Sequence, residues 1–250
     1  MLGLGGAPLN DLSSIWHGRR LGYLGRYTEA VAVFGEALET NPTSYKLLRH
    51  RGHRFITLRR LDDAISDLSQ ASTLTRDVPD EVEPDGAPNP SGIPRSTTRS
   101  NIEYHLGLAL YLAGRFEEAF PAWQRCLELS RVNDDMLVAA TYWNVLTMWR
   151  LGLSSQVDSL LATIQPEMDV IENHDYHELL LVFKGEVPAD QVMEKLGPDG
   201  LGSATQAFGM GAWNLHKGND ARAREILTSI ESNTTWAAFG YIAAEAELSR

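Results

Sequence analysis

One cysteine, Cys126, is all this 250-residue chain contains, so no disulfide forms within it. Cys126 stands where the local pattern asks for a small apolar residue, which reads as packing rather than a reactive thiol. No run of about 18 apolar residues is present, so no segment reads as a membrane span. The first ten residues, MLGLGGAPLN, lack Lys and Arg and hold too short an apolar run for a signal peptide, so a cytoplasmic location is expected. Basic residues are few: 22 Lys and Arg against 33 Asp and Glu give a net charge of −11, which argues against nucleic acid as a partner. Gly-rich phosphate loops, a nucleophile elbow and HExxH are also missing, so no motif announces catalysis and no cofactor is implied.

What is present is helical periodicity, with 43% hydrophobic residues to build a core. Residues Asn101 to Arg131 show the unit: small residues at Gly107, Gly114, Ala119 and Cys126, with large apolar ones at Leu106, Leu110, Phe116, Trp123 and Leu127. Two amphipathic helices broken at Ala113-Gly114 follow, a helical hairpin. Similar hairpins run from Leu12 to Asn41 and from Ser44 to Leu74, where Gly52 lies 34 residues after Gly18 and Ala64 lies 34 after Ala30. A fixed period of that length marks stacked supersecondary units, since one hairpin cannot bury its apolar face alone. Weaker hairpins cover Asp134 to Ile164 and Asp175 to Leu196, and a clearer one Ala204 to Ile230 after a break at Gly197–Gly202. An alanine-rich stretch, Trp236 to Leu248, reads as one last helix capping the array with no partner of its own.

Residues 76–100 interrupt the period and hold five of the eleven prolines. They read as an insertion, either solvated or folded across the array. The expected organisation is a flexible stretch over residues 1–11 and one domain over 12–250 containing that insertion.

The recurring small and aromatic residues resemble the tetratricopeptide repeat. The first hairpin carries Gly18, Tyr27, Ala30, Phe34, Ala37 and Pro42; the second Leu48, Gly52, Phe55, Ala64 and Ala71, with Arg59 replacing the turn glycine. The third carries Leu106, Gly107, Gly114, Phe116, Ala119 and Trp123, and the sixth Gly211, Gly218 and Ala223. More loosely, the chain resembles uncharacterised bacterial tetratricopeptide proteins. The resemblance implies an all-α fold, a right-handed solenoid of five to six helical hairpins with a C-terminal capping helix.

It also implies that the first helix of each hairpin lines a concave groove. The groove positions are then Ile15, Trp16 and Arg19; Lys46, Arg49, His50 and His53; Asn101, Tyr104, His105 and Leu108; and Ala139, Tyr142 and Trp143. Residues 1–60 hold nine Lys and Arg against four Asp and Glu, a local charge of +5 on an acidic chain. We therefore expect a non-catalytic scaffold for a protein or peptide partner, its segment anionic or C-terminal, bound by Arg19, Arg49, His50, His53, Tyr104, His105, Tyr142 and Trp143. The Lys/Asn/Asn/Lys/Arg set with which some tetratricopeptide domains grip a terminal carboxylate is not reproduced at the matching Ile15, Arg19, His50, Asn101 and His105.

The alternative is a small-ligand or enzymatic pocket under the insertion, lined by His, Arg and Tyr. Candidates there are His50, His53, His105, Glu172, Tyr176 and His177. A metal on His50, His53 and His105 is disfavoured by the adjacent Arg49 and Arg54, and His174 with His177 lacks a third ligand.

Overall fold

In each strong hairpin a glycine of the first helix faces a large side chain sixteen residues later, and this pairing sets the helix separation. A Cβ added at Gly18 would stand 2.3 Å from the Phe34 ring, at Gly52 2.7 Å from Leu68, at Gly107 2.6 Å from Trp123 and at Gly211 2.6 Å from Leu227. Helices that approach this closely exclude a side chain at the crossing point, which is why the small residue recurs with the period.

The computed structural model describes residues 11–84, 89–196, 203–230 and 235–250. Among them are thirteen helices, paired as six hairpins and a final helix. The hairpins are α1 (Asp11–Tyr23) with α2 (Tyr27–Thr40), α3 (Tyr45–Thr57) with α4 (Leu61–Leu74), and α5 (Thr98–Leu112) with α6 (Phe116–Ser130). Then follow α7 (Asp134–Arg150) with α8 (Ser154–Leu161), α9 (His174–Lys184) with α10 (Ala189–Leu196), α11 (Ala204–His216) with α12 (Asp220–Ile230), and α13 (Phe239–Leu248). No helix among the described residues is long and apolar enough to cross a membrane. The stretch expected to be flexible lies, but for Asp11 at the start of α1, outside the described residues, as does the Gly197–Gly202 break.

The turns repeat one conformation. Gly25, Gly114, Gly152 and Gly218 all lie in the left-handed region with φ of 74°, 74°, 69° and 76°. Arg59 takes the same role in the second hairpin with φ 58°, where a Cβ costs about 1–2 kcal/mol. Its side chain shows what offsets that cost. The guanidinium donates from Nε to Glu245 at 2.8 Å, from Nη1 to the Thr57 carbonyl at 2.6 Å and from Nη2 to the Trp236 carbonyl at 2.6 Å. It also lies over the Trp236 and Tyr241 rings.

Arg59 therefore ties the second hairpin to the C-terminal segment, and other contacts join it there. Tyr27 meets Trp236 edge-on, and Arg250 donates to the carbonyls of Tyr111 and Leu112 at 2.9 Å each. The final helix thus has partners: α13 packs on α11 and α12 and also reaches α5. The expected capping helix with no hairpin partner is there, and Trp236 and Phe239 also reach back to the first three hairpins. Arg59→Ala keeps the left-handed strain and loses the clasp, whereas Arg59→Gly loses both. Arg59→Ala is expected to be the less stable of the two by about 1 kcal/mol in urea unfolding, with both variants losing amide protection around Trp236.

The insertion is built into the array. Helix α5 starts at Thr98, three residues before Asn101, because Thr97 and Ser100 form a reciprocal capping box. Ahead of it, Glu83 N–H donates to the Ser96 carbonyl at 3.0 Å and Thr98 N–H to the Glu81 carbonyl at 2.9 Å, an isolated antiparallel bridge at Val82 and Thr97. Both halves of the insertion are held to each other, so the segment over residues 81–84 has a defined path.

Candidate functional site

The inner faces of α1, α3 and α5 carry most of the predicted groove residues, and the insertion runs across them. Arg19 donates to the Pro84 carbonyl at 2.8 Å, and Lys46 pairs with Glu81 at 2.6 Å. Arg49 meets Glu83 Oε1 at 3.0 Å, both side chains being buried, and Asn101 Nδ2 donates to Glu83 Oε2 at 3.2 Å. The chain's own acidic stretch, Glu81-Val82-Glu83-Pro84, thus lies on the groove cations. Lys46 is pushed up by its hydrogen bond to Glu81, whereas Arg49 is pulled down, chiefly by burial and against the pull of Glu83.

The histidines lie deeper. Arg49 donates to His50 Nδ1 at 3.0 Å, which leaves His50 neutral with its proton on Nε2, 3.9 Å from Glu83. His105 donates from Nδ1 to the Asn101 carbonyl at 2.6 Å. The His53 and His105 rings lie 4.3 Å apart, and Phe239 from α13 covers both at 5.4 and 5.7 Å. Burial holds all three histidines well below the usual imidazole range, and the positive charges of Arg49 and Arg54 lower them further. Among the described residues no group of three or more His, Cys, Asp or Glu side chains is placed to hold a metal ion. Arg54 beside them is lowered to about 10, first by burial and then by Arg49.

Tyr104 belongs to a second cluster. Trp143 Nε1 donates to the Tyr104 hydroxyl at 2.8 Å and more weakly to the Tyr176 hydroxyl at 3.3 Å, and the two hydroxyls are themselves 3.3 Å apart. Tyr142 stacks on Tyr176 with centroids 4.5 Å apart. Tyr142 and Trp143 are both 0% exposed, because Tyr176 of α9 stacks on Tyr142 and Phe208 of α11 stacks on Trp143. In the described structure they are core residues, and they do not join Arg19, Arg49, His50, His53 and His105 at a surface.

A cavity of about 290 Å³ opens between these clusters, under Arg95 and Ser96 of the insertion and lined by Asn101, Tyr104, Tyr176 and Phe239. At its edge the fully buried Asp135 carboxylate accepts from the backbone N–H groups of Ile171, Glu172 and Asn173 at 2.9, 2.9 and 3.0 Å. Glu172 accepts from Asn89, and His177 donates to the Gln165 carbonyl at 2.8 Å on the exposed side. Cys126 also borders the cavity, with its thiol pushed up to about 12 by burial, so it stays protonated and unreactive.

Sequence reasoning missed Glu81, Glu83, Arg95 and Phe239 as parts of these sites. The signal in hindsight is charge: Glu81 and Glu83 lie between the first two prolines of the insertion, Pro79 and Pro84. Arg54 entered only as a charge that repels a dication.

The glycine pairing, the left-handed turns and the α-only hairpins together point to one repeat type. Residues 17–79 match the tetratricopeptide repeat profile. The first two hairpins match tetratricopeptide repeats. The chain as a whole takes the tetratricopeptide-like solenoid fold, as solved structures show. A tetratricopeptide repeat protein from Parabacteroides merdae superposes with TM-score 0.55 at 15% identity, over 96% of this chain and 86% of that one. A candidate kinesin light chain of Podosopora anserina with nearly identical TPR-like repeats does so with TM-score 0.52 at 12% identity, over 95% and 96%. At such identities the likeness concerns the tetratricopeptide architecture alone. The comparison with curated proteins finds no sequence match.

Proposed function

We propose that this tetratricopeptide array is a non-catalytic binding module that takes an extended anionic peptide on the inner face of α1, α3 and α5. The observation that carries the reading is the chain's own segment 81–84. It lies extended with two carboxylates on Lys46 and Arg49 and a carbonyl on Arg19, as a bound acidic peptide would. Arg49, His50 and Asn101 supply a buried carboxylate seat, while Lys46 and Arg19 are the accessible cations. The internal segment acts as a stand-in that an outside peptide displaces. A fluorescent peptide of sequence PDEVEP should bind with salt-dependent affinity, and its Gln-substituted twin at least about tenfold more weakly. Arg19→Glu with Lys46→Glu, two changes on the accessible rim, should remove that difference. Equal binding of the charged and Gln peptides would sink the proposal.

The cavity under Arg95 favours a second reading, a small-ligand site. Trp143 supplies one proton to the Tyr104–Tyr176 pair, so one phenolic O–H remains to donate to a ligand oxygen, with Phe239 and Met136 as apolar walls. No nucleophile–base pair is assembled there among the described residues, which favours binding over catalysis.

A further inference from the structure

A crevice of about 120 Å³ lies between α1 and α3, beside the path of the insertion, and its lining includes Arg19, Tyr23, Arg49, His50, His53 and Arg54. Three guanidinium groups meet there, and Glu83 on Arg49 is the one carboxylate paired with any of them among the described residues. The Arg54 guanidinium has no hydrogen bond or ion pair among the described residues; it lies over the Tyr27 ring and against Gly22, where a Cβ would stand 2.8 Å from its Nη1. Arg49 is 7% exposed, and its Nε is buried without a hydrogen-bond partner. His50 is neutral, since its Nδ1 accepts from Arg49. Three arginines less Glu83 leave a charge of +2 around the crevice, in a place where most charges would be paired.

We propose that this crevice binds the dianion of a phosphate monoester, with Arg54 and the Nε side of Arg49 as the recognition donors. The charge matches, since a phosphate monoester carries about −1.5 to −2 at neutral pH. The donors match too, because guanidinium forks offer paired N–H groups to phosphate oxygens, and the crevice is sized for a phosphoryl group rather than a whole nucleotide. Exposed Tyr23 at the rim leaves room for the rest of the ester. The lowering of Arg54 by burial and by Arg49 is what a cation seat without a protein anion should show. This inference deepens the anionic-peptide reading but uses different donors, since segment 81–84 engages Arg19 Nη1 and Arg49 Nη2 and not Arg54.

The test is thermal unfolding of the wild type and Arg54→Gln in sodium phosphate and in sodium chloride of equal ionic strength. The wild type is expected to gain at least about 2 °C in phosphate over chloride. Arg54→Gln should lose that gain while its Tm in chloride is no lower than that of the wild type, because a half-buried charge with no anion beside it has been removed. Arg54→Met serves if Arg54→Gln does not fold. No phosphate-specific gain in the wild type, or the same gain in the Arg54 variants, overturns the proposal. Binding of the PDEVEP peptide separates the two readings: it should be unchanged in Arg54→Gln, and its absence in the wild type would remove the peptide reading while leaving the phosphate result standing. A phosphoserine peptide that binds at least tenfold more tightly than inorganic phosphate, and than its unphosphorylated twin, identifies a peptide-borne phosphoryl group. Affinity equal to that of inorganic phosphate identifies a free phosphate ester.

Discussion

Trp123→Ala is expected to lower the unfolding free energy by about 3–5 kcal/mol, read as a lower urea midpoint at unchanged slope. Trp123 is 0% exposed, presses on Gly107, stacks parallel to Trp143 at 6.4 Å and meets Tyr104 edge-on at 5.5 Å. Truncation therefore opens a cavity where hairpins three and four meet, and the stack cannot close it because Gly107 has no side chain to fill the space. Trp123→Phe is the informative control. It keeps most of the ring and removes a buried indole N–H that has no partner among the described residues, so its loss should stay below about 1.5 kcal/mol. If the alanine variant loses no more than the phenylalanine variant, hairpin three is not the packing centre of the array.

The second large effect is acid sensitivity. His50, His53 and His105 are all held well below their ordinary range, by burial first and by the neighbouring arginines next. The sign follows directly. An unfolded histidine takes up its proton near pH 6.5, whereas the folded one stays neutral, so the unfolded state binds more protons as pH falls below that value. Stability is thus complete above about pH 7 and is lost as pH drops through 6.5 towards the folded values, at up to about 1.4 kcal/mol per pH unit for each histidine. Among the described residues Glu83 is the carboxylate that pairs with any of them, 3.9 Å from His50, and Arg49 already engages it. Urea unfolding at pH 7.5, 6.0 and 5.0 should show the fall, and His53→Gln should make it shallower. A flat profile down to pH 5.0 would mean that the histidines are protonated or exposed in the folded protein.

The parts of this structure written as local repeats were legible in the sequence. Gly18 with Phe34, Gly52 with Leu68 and Gly107 with Trp123 are spacing signals, because two helices joined by a short turn must meet at a fixed offset. Arg59 was visible as a departure from the turn glycine, but its reason is a tie to Trp236 and Glu245, more than 170 residues away, and no local pattern encodes that. The same holds for the insertion. Five prolines told that it was not a helix, whereas its path depends on Lys46 and Arg49 finding Glu81 and Glu83. The groove list fared unevenly for a related reason. The repeat register brought Arg19, Arg49, His50, His53 and His105 together, but Tyr142 and Trp143 share that register on a helix covered by Tyr176 of α9 and Phe208 of α11. Phe239 carries no repeat signal and reaches the histidines only because the C-terminal segment returns to hairpins two and three.

If segment 81–84 occupies the seat of an acidic peptide, as proposed, the sharpest test frees that seat without touching its cations. Glu81→Gln with Glu83→Gln weakens the internal contacts to Lys46, Arg49 and Asn101 while leaving those residues in place. Fluorescence anisotropy with labelled PDEVEP should then show affinity at least about tenfold higher than for the wild type, a gain of about 1.4 kcal/mol from lost competition. Affinity that is unchanged or weaker in the double variant, with the fold intact by circular dichroism, would mean that segment 81–84 does not occupy a peptide seat.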